Sequence, residues 1–223
     1  MNARLKAIYE SASTLFIRQG YSRTQISHIA QAVGVSVGTI YHDFSGKKEI
    51  MQFVLKCTIE PDFMEKNLKR PINEEAFEGL EREIEETFTT VLRDFSERSA
   101  RPETSFSAFI SDAFDLVARY AAGLLFIEKN QYEFEKLAGY YRDFRNRFFE
   151  TMTFYFNRYI ERGVIRKPHF PQYAVTHIIE TITWWGMDIR YCAFNQLDIS
   201  KEQAREVVLD NLVPAYARTH AGK

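Results

Sequence analysis

Residues 24–44 decide the fold: Thr24-Gln25-Ile26-Ser27-His28-Ile29-Ala30-Gln31-Ala32-Val33-Gly34-Val35-Ser36-Val37-Gly38-Thr39-Ile40-Tyr41-His42-Asp43-Phe44. Ile26, Ile29, Ala30 and Val33 recur at helical spacing, after Ser22 or Thr24 as the capping residue. Gly34 breaks that helix in the left-handed conformation a turn needs, and Ser36 caps a third, very short helix reaching about Phe44. Helix, glycine turn, helix is the helix-turn-helix arrangement. Ala30 is small enough for the two helices to approach, while Val35 and Ile40 plug the unit against the helix before it. In such units the second helix presents its N-terminal residues to base edges in the major groove, here Ser36, Val37, Gly38, Thr39, Tyr41 and His42.

Outward from this stretch the chain reads as all-α. Glycine and proline number only 10 and 6 in 223 residues, and no alternating strand pattern of useful length occurs. Leu5, Ile8, Ala12, Leu15 and Phe16 give the first helix one apolar face, which stops at Gln19-Gly20. After Lys47 the helices lengthen: Lys47 to about Asn67 with a bend at Pro61, Asn73 to about Arg98, and Pro102 toward Glu128 with a possible break at Gly123. Tyr132–Arg162, Pro171 to about Phe194 and Ser200 to about Arg218 follow. A boundary near residue 46 divides a three-helix head, 1–46, from a larger helical region, 47–223.

Composition narrows the function classes. With 45% hydrophobic and 26% charged residues the chain is an ordinary globular protein, with 19 Phe and 12 Tyr as its excess. No apolar run approaches the ~20 residues that span a bilayer, no secretory signal is visible, and Cys57 and Cys192 stand far apart in apolar helical patterns, so a cytoplasmic protein without disulfides is expected. The net charge of −1 hides an asymmetry: six cations against three anions give residues 1–50 a balance of +3. His169, His177 and His220 lack metal-ligand spacing, and Cys192 and His177 lie about four helical turns apart, too far to act as nucleophile and base. No catalytic constellation, metal or cofactor is expected.

Taken together, Leu15-Phe16-Ile17-Arg18-Gln19-Gly20-Tyr21, Thr24, Ile29-Ala30, Val33-Gly34-Val35-Ser36, Gly38-Thr39-Ile40-Tyr41 and Phe44-Ser45-Gly46-Lys47-Lys48-Glu49 closely resemble the DNA-binding head of the tetracycline-repressor (TetR) family of bacterial regulators. The resemblance runs from about Ala7 to Ile50; the rest agrees only in length, helicity and the Arg162-Gly163-Val164-Ile165-Arg166 turn. It implies a homodimeric regulator whose head binds double-stranded operator DNA and whose helical remainder dimerises and binds an effector. On these positions it implies phosphate contacts from Thr24, Tyr41 and Lys47 and a base-facing surface at Val37, Gly38, Thr39 and His42. Asp43 departs from the pattern: an anion there repels DNA unless it turns away or pairs, and Lys48 is a candidate partner.

Two further surfaces are read from patterning. The aromatics as a set favour an apolar pocket for a flat or greasy ligand, with Phe88, Phe106, Phe109, Phe126, Tyr141, Phe144 and Phe148 as lining and Arg119 as an orienting group, although any one ring can equally be core. Ala121, Ala122 and Gly123 supply small side chains beside which a cavity could open. The stripe Val175, Ile178, Ile179, Ile182, Gly186 and Ile189, with Val208 and Leu212 of the last helix, suits a four-helix dimer interface, and Trp185 can serve core or interface. The chain is therefore expected to be a ligand-responsive transcriptional regulator, a repressor released from operator DNA by an apolar or aromatic small molecule, with a helical carrier protein that does not bind DNA as the alternative and no enzymatic activity.

Overall fold

The computed structural model describes residues 3–195 and 197–218, and among them it is helical throughout without a β-strand. The helices are α1 (Ala3–Arg18), α2 (Ile26–Val33), α3 (Val37–Asp43), α4 (Lys47–Ile59), α5 (Leu80–Ala100), α6 (Phe106–Lys129), α7 (Glu135–Glu161), α8 (Pro171–Thr183), α9 (Ile189–Tyr191) and α10 (Lys201–Tyr216). Local chemistry sets most ends. Pro61 cannot continue α4 and opens a 3₁₀ turn instead, Pro61–Glu65. Ser200 caps α10, its Oγ accepting from the Gln203 N–H at 3.1 Å while the Gln203 side chain returns to the Ser200 N–H at 3.0 Å.

Several expected boundaries move. Asn73 caps only a 3₁₀ turn, Glu74–Phe77; Gly79 then takes a left-handed conformation, φ 78°, and α5 starts at Leu80. Helix α6 runs unbroken through Gly123. A Cβ on Gly123 would lie 2.8 Å from the Thr58 methyl, so the small residue serves close packing of α4 on α6. Between α8 and α9 a π-helical turn, Trp184–Asp188, replaces the regular helix expected to Phe194.

The chain forms two compact units. The first contains residues to Thr87 together with Tyr120–Tyr141, and the second Phe88–Arg119 together with the chain from Arg142 onward. In the first, Leu5, Ile8, Ala12 and Phe16 of α1 are buried with Ile29, Ile40, Phe44, Ile50, Phe53 and Val54. A second layer follows, in which Phe126 and Phe134 close on Phe16 and Tyr21 with ring centroids 5.1–6.4 Å apart. Asn130, buried, fastens this layer to the turn after α1: its Nδ2 donates to the Phe16 carbonyl at 3.2 Å and its Oδ1 accepts from the Tyr21 N–H at 2.6 Å. The core of the second unit is a run of rings, Phe88, Phe144, Phe148, Phe95, Phe109 and Phe106, with successive centroids 4.9–6.4 Å apart.

Candidate functional site

The turn between α2 and α3 is built as its sequence demands. Gly34 sits at φ 77°, ψ 33°, its N–H reaches the Gln31 carbonyl at 3.2 Å, and the next N–H, of Val35, reaches Ala30 at 2.9 Å. These bonds satisfy the carbonyls left open at the end of α2. Ser36 caps α3: its Oγ accepts from the Thr39 N–H at 3.1 Å and lies 2.9 Å from the Thr39 hydroxyl. The cap of α2 differs from expectation. Gln25 holds that place, its N–H donating to His28 Nδ1 at 3.3 Å, because Thr24 is committed to the preceding turn.

The seven-residue α3 divides sharply. Ile40 and Asp43 are buried, whereas Ser36, Val37, Gly38, Tyr41 and His42 are exposed and Thr39 is half-buried beside its cap. Tyr41 keeps 51% of its surface in solvent, too much for a core ring, while Phe44 is fully buried. A Cβ on Gly38 would meet nothing nearer than 3.7 Å, so there is room there for another molecule to approach the backbone. The base-facing set thus forms one continuous solvent face. Of the phosphate set, Tyr41 lies on that face. Lys47, at the start of α4, donates from Nζ to the Tyr21 carbonyl at 2.9 Å and stands 4.2 Å from the Tyr21 ring centroid. Thr24 lies apart from both: it is fully buried, its hydroxyl donates to Gly20 at 2.8 Å and accepts from Gln19 at 3.1 Å, and so it holds a turn and is not offered to a phosphate.

Asp43 turns inward, and its partner is not Lys48. The carboxylate is fully buried; Arg4 holds both of its oxygens, at 2.5 and 2.8 Å, Arg70 donates to Oδ1, and His42 Nδ1 lies 3.3 Å away. Burial alone would push the Asp43 carboxyl up, but the hydrogen bonds from Arg4 and His42 and the charge of Arg70 outweigh it and hold the group below the usual carboxylate range. Lys48 pairs with Glu74 at 2.5 Å instead. Arg4 and Arg70, which place the end of α3, carried no sequence signal of that role.

The expected ligand residues separate. Phe88, Phe106, Phe109, Phe144 and Phe148 come together in the core of the second unit. Phe126 belongs to the ring cluster behind the head, Tyr141 donates to Glu128 at 3.1 Å in that same unit, and Arg119 is exposed on α6. Of the expected interface, Ile178, Ile182, Gly186, Ile189, Val208 and Leu212 are buried within one protomer, and Trp185 is half-buried. Gly186 does admit a close neighbour, but that neighbour is Val117 and Ala118 of the chain's own α6. Among the residues that α8 and the segments beside it leave in solvent are Phe170, Tyr173, His177 and Trp184.

Among the described residues no group of three His, Cys, Asp or Glu is placed to hold a metal, and no helix is long and apolar enough to cross a membrane. His220 lies outside the described residues. Burial pushes the Cys57 thiol up to about 12, which leaves it unreactive at neutral pH.

Residues 8–53 match the family of bacterial regulatory proteins, tetR family. No curated protein matches the chain in sequence. Among solved structures it is similar to the ketosteroid transcriptional regulator KstR2 of Mycobacterium tuberculosis, at 18% identity and TM-score 0.57 over 98% of this chain and 97% of that one. It also resembles the TetR-family regulator PfmR from Thermus thermophilus, at 18% identity and TM-score 0.48 over 96% of each chain. A third match is the fatty acid degradation regulator FadR from Bacillus halodurans, at 16% identity and TM-score 0.44 over 95% of each chain.

Proposed function

We propose that this chain, whose residues 8–53 match the tetR family of bacterial regulatory proteins, represses transcription as a homodimer that binds operator DNA and is released by a small apolar effector. The observation that carries the reading is the exposed face of α3, where Val37, Gly38, Tyr41 and His42 stand in solvent while Ile40 and Asp43 anchor the helix from behind. Such a division is what major-groove docking needs, a rigid helix with one face free. Asp43, the anion that departs from the family pattern, points away from that face and is neutralised by two arginines.

The reading surface carries few hydrogen-bonding side chains. Val37 and Gly38 suit thymine methyls and close backbone approach, so operator preference leans on apolar contacts and DNA shape beside Thr39 and His42. For dimerisation the exposed outer side of α8 and of the turn after it, with Tyr173, His177 and Trp184, supports the interface better than the buried stripe does. For the effector, the aromatic core of the second unit supports an apolar molecule. The test is binding of the purified chain to the DNA upstream of its own gene. Affinity that exceeds that for unrelated DNA and falls steeply with salt is expected, and equal, weak affinity for both sequences overturns the reading.

A further inference from the structure

Two histidines of the first unit are held by neighbours that decide where each ring carries its proton. The ionised carboxylate of Asp43 accepts hydrogen bonds and cannot donate one. It is fully buried at the end of α3, where Arg4 of α1 holds both of its oxygens and Arg70 of the α4–α5 connection donates to Oδ1. His42 Nδ1 lies 3.3 Å from that same Oδ1. A neutral imidazole has one N–H and one bare nitrogen, so the bond to Asp43 puts the His42 proton on Nδ1 and leaves Nε2 an acceptor.

His28 is the opposite case. Its Nδ1 faces the backbone N–H of Gln25 at 3.3 Å and the Gln19 Nε2 at 3.2 Å. The Gln19 amide is not free to turn over, because its Nε2 also donates to the Thr24 hydroxyl, whose own proton goes to the Gly20 carbonyl. Two donors on Nδ1 require the His28 proton on Nε2. The two rings also differ in place. His28 belongs to the cap of α2, whereas the His42 side chain stands on the open face of α3, 69% in solvent, and Asp43 is its ring's sole polar partner among the described residues.

We propose that Asp43 is a positioning residue for His42: by taking the Nδ1 proton it fixes the ring as a hydrogen-bond acceptor at Nε2, and the ring reads a base amino group in the major groove, N6 of adenine or N4 of cytosine. The base contact rests on the reading of the chain as a DNA-binding regulator, and the tautomer does not. A ring that exchanged its proton freely would present a donor to guanine as readily as an acceptor to adenine. Each base pair carries one amino group in the major groove, on one of its two bases, so a fixed acceptor decides which way round the pair must lie. The buried anion of α3 thus takes part in operator choice without touching DNA.

Long-range 1H–15N NMR of the full chain at about pH 8, above the usual imidazole range, reads which ring nitrogen carries the proton, with His42 assigned by the resonances that His42→Ala removes. His42 is expected in the Nδ1–H form and His28 in the Nε2–H form, the second serving as an internal control. His42 in the Nε2–H form overturns the proposal. Asp43→Ala should release the ring to a mixture of both forms, which a merely structural loss would not do. An unaltered ring in a folded Asp43→Ala removes the role of Asp43, and if that variant does not fold, the wild-type spectrum still decides the tautomer. Selection of binding sites from random duplexes by the wild type and His42→Ala then locates the base pair that His42 reads. Deleting the amino group of that pair, adenine to purine or cytosine to 2-pyrimidinone, should weaken the wild type about three- to tenfold more than it weakens His42→Ala. Equal losses in the two proteins, or no position whose preference depends on His42, overturn the base contact alone. A chain that selects no DNA sequence overturns the regulator reading and the base contact with it, while the NMR still decides the tautomer.

Discussion

Helices α3 and α8 both carry an apolar stripe and a polar face, but they use them in opposite ways. In α3 the stripe is short; Ile40 and the flanking Phe44 disappear into the first unit, and the other face keeps Val37 and Tyr41 in solvent, 41% and 51% exposed. In α8 the stripe is long, and Val175, Ile178 and Ile182 are covered by the second unit of the same protomer. The residues that α8 and the turn after it leave outside are aromatic and mixed, among them Tyr173 at 67% and Trp184 at 46%. A helical stripe establishes that something covers it, and whether the cover is the chain itself or a second copy depends on tertiary contacts that periodicity does not carry.

The sharpest way to break this comparison is a charge in the α8 stripe. Ile182 is fully buried, so Ile182→Arg strands an uncompensated cation and should cost of order 3–5 kcal/mol, which urea denaturation measures directly. A folded, stable monomer would instead make the stripe an interface. Trp184→Arg, at a half-exposed position, should leave the denaturation midpoint nearly unaltered and shift sedimentation toward the monomer. If Trp184→Arg unfolds the chain and Ile182→Arg does not, the assignment of the two faces is reversed.

That pair of outcomes also marks where the sequence is informative. The α2–α3 unit is legible because its determinants are local: Gly34, Ser36 and the spacing of Ile26, Ile29, Ala30 and Val33 act within a few residues of one another. The placement of α3 is not, because Asp43 is held by Arg4 and Arg70, 39 and 27 residues away, and no pattern links an arginine to a carboxylate at such distance. Asn130 is harder still, bonding the Phe16 carbonyl 114 residues back. Phe126 was legible as a buried aromatic, but not which of two ring clusters it joins. Thr24 reads as a cap or a phosphate ligand from its type alone, and only its bonds to Gly20 and Gln19 decide otherwise.

Next in size is the anchor behind α3. Asp43→Asn removes the charge that Arg4 and Arg70 share, and since those arginines are themselves partly exposed, the loss should be about 1–2 kcal/mol, less than for a fully dry pair. Its pH dependence has a definite sign. The carboxyl is held below its usual value in the folded state, so its contribution is present at neutral pH. It begins to fall as pH drops past the unfolded carboxylate value near ~3.9, and is gone below the folded one. The stability gap between wild type and Asp43→Asn should therefore begin to narrow as pH falls below about 4 and close only below the folded value. A gap that stays constant down to pH 3 would mean that Asp43 acts through shape and not charge.

On the exposed face the effects are smaller and concern DNA alone. Tyr41→Ala should weaken operator binding about tenfold, roughly 1.4 kcal/mol, without lowering stability, because half of that ring is already in water. Thr39→Ala should change the ranking among operator variants more than it changes the mean affinity. Loss of fold in Tyr41→Ala, seen as lost ellipticity, would make the ring a core residue and remove it from the reading surface.

Lys47 gives the smallest effect and separates two roles for one side chain. Its ammonium already donates to the Tyr21 carbonyl and faces the Tyr21 ring, yet an ammonium has three donors and this uses one of them. If the remaining donors meet a phosphate, Lys47→Ala releases one fewer counterion on binding, and the slope of log affinity against log salt should shrink by about one unit, equally for all sequences. If the side chain serves only to hold Tyr21, the slope stays as it was, while stability falls by the ~0.5–1 kcal/mol of an exposed cation–π contact. A salt series on the two proteins, with thermal denaturation alongside, gives one answer or the other. An unaltered slope takes Lys47 off the DNA surface and leaves phosphate contact to Tyr41 and the backbone N–H groups at the start of α3.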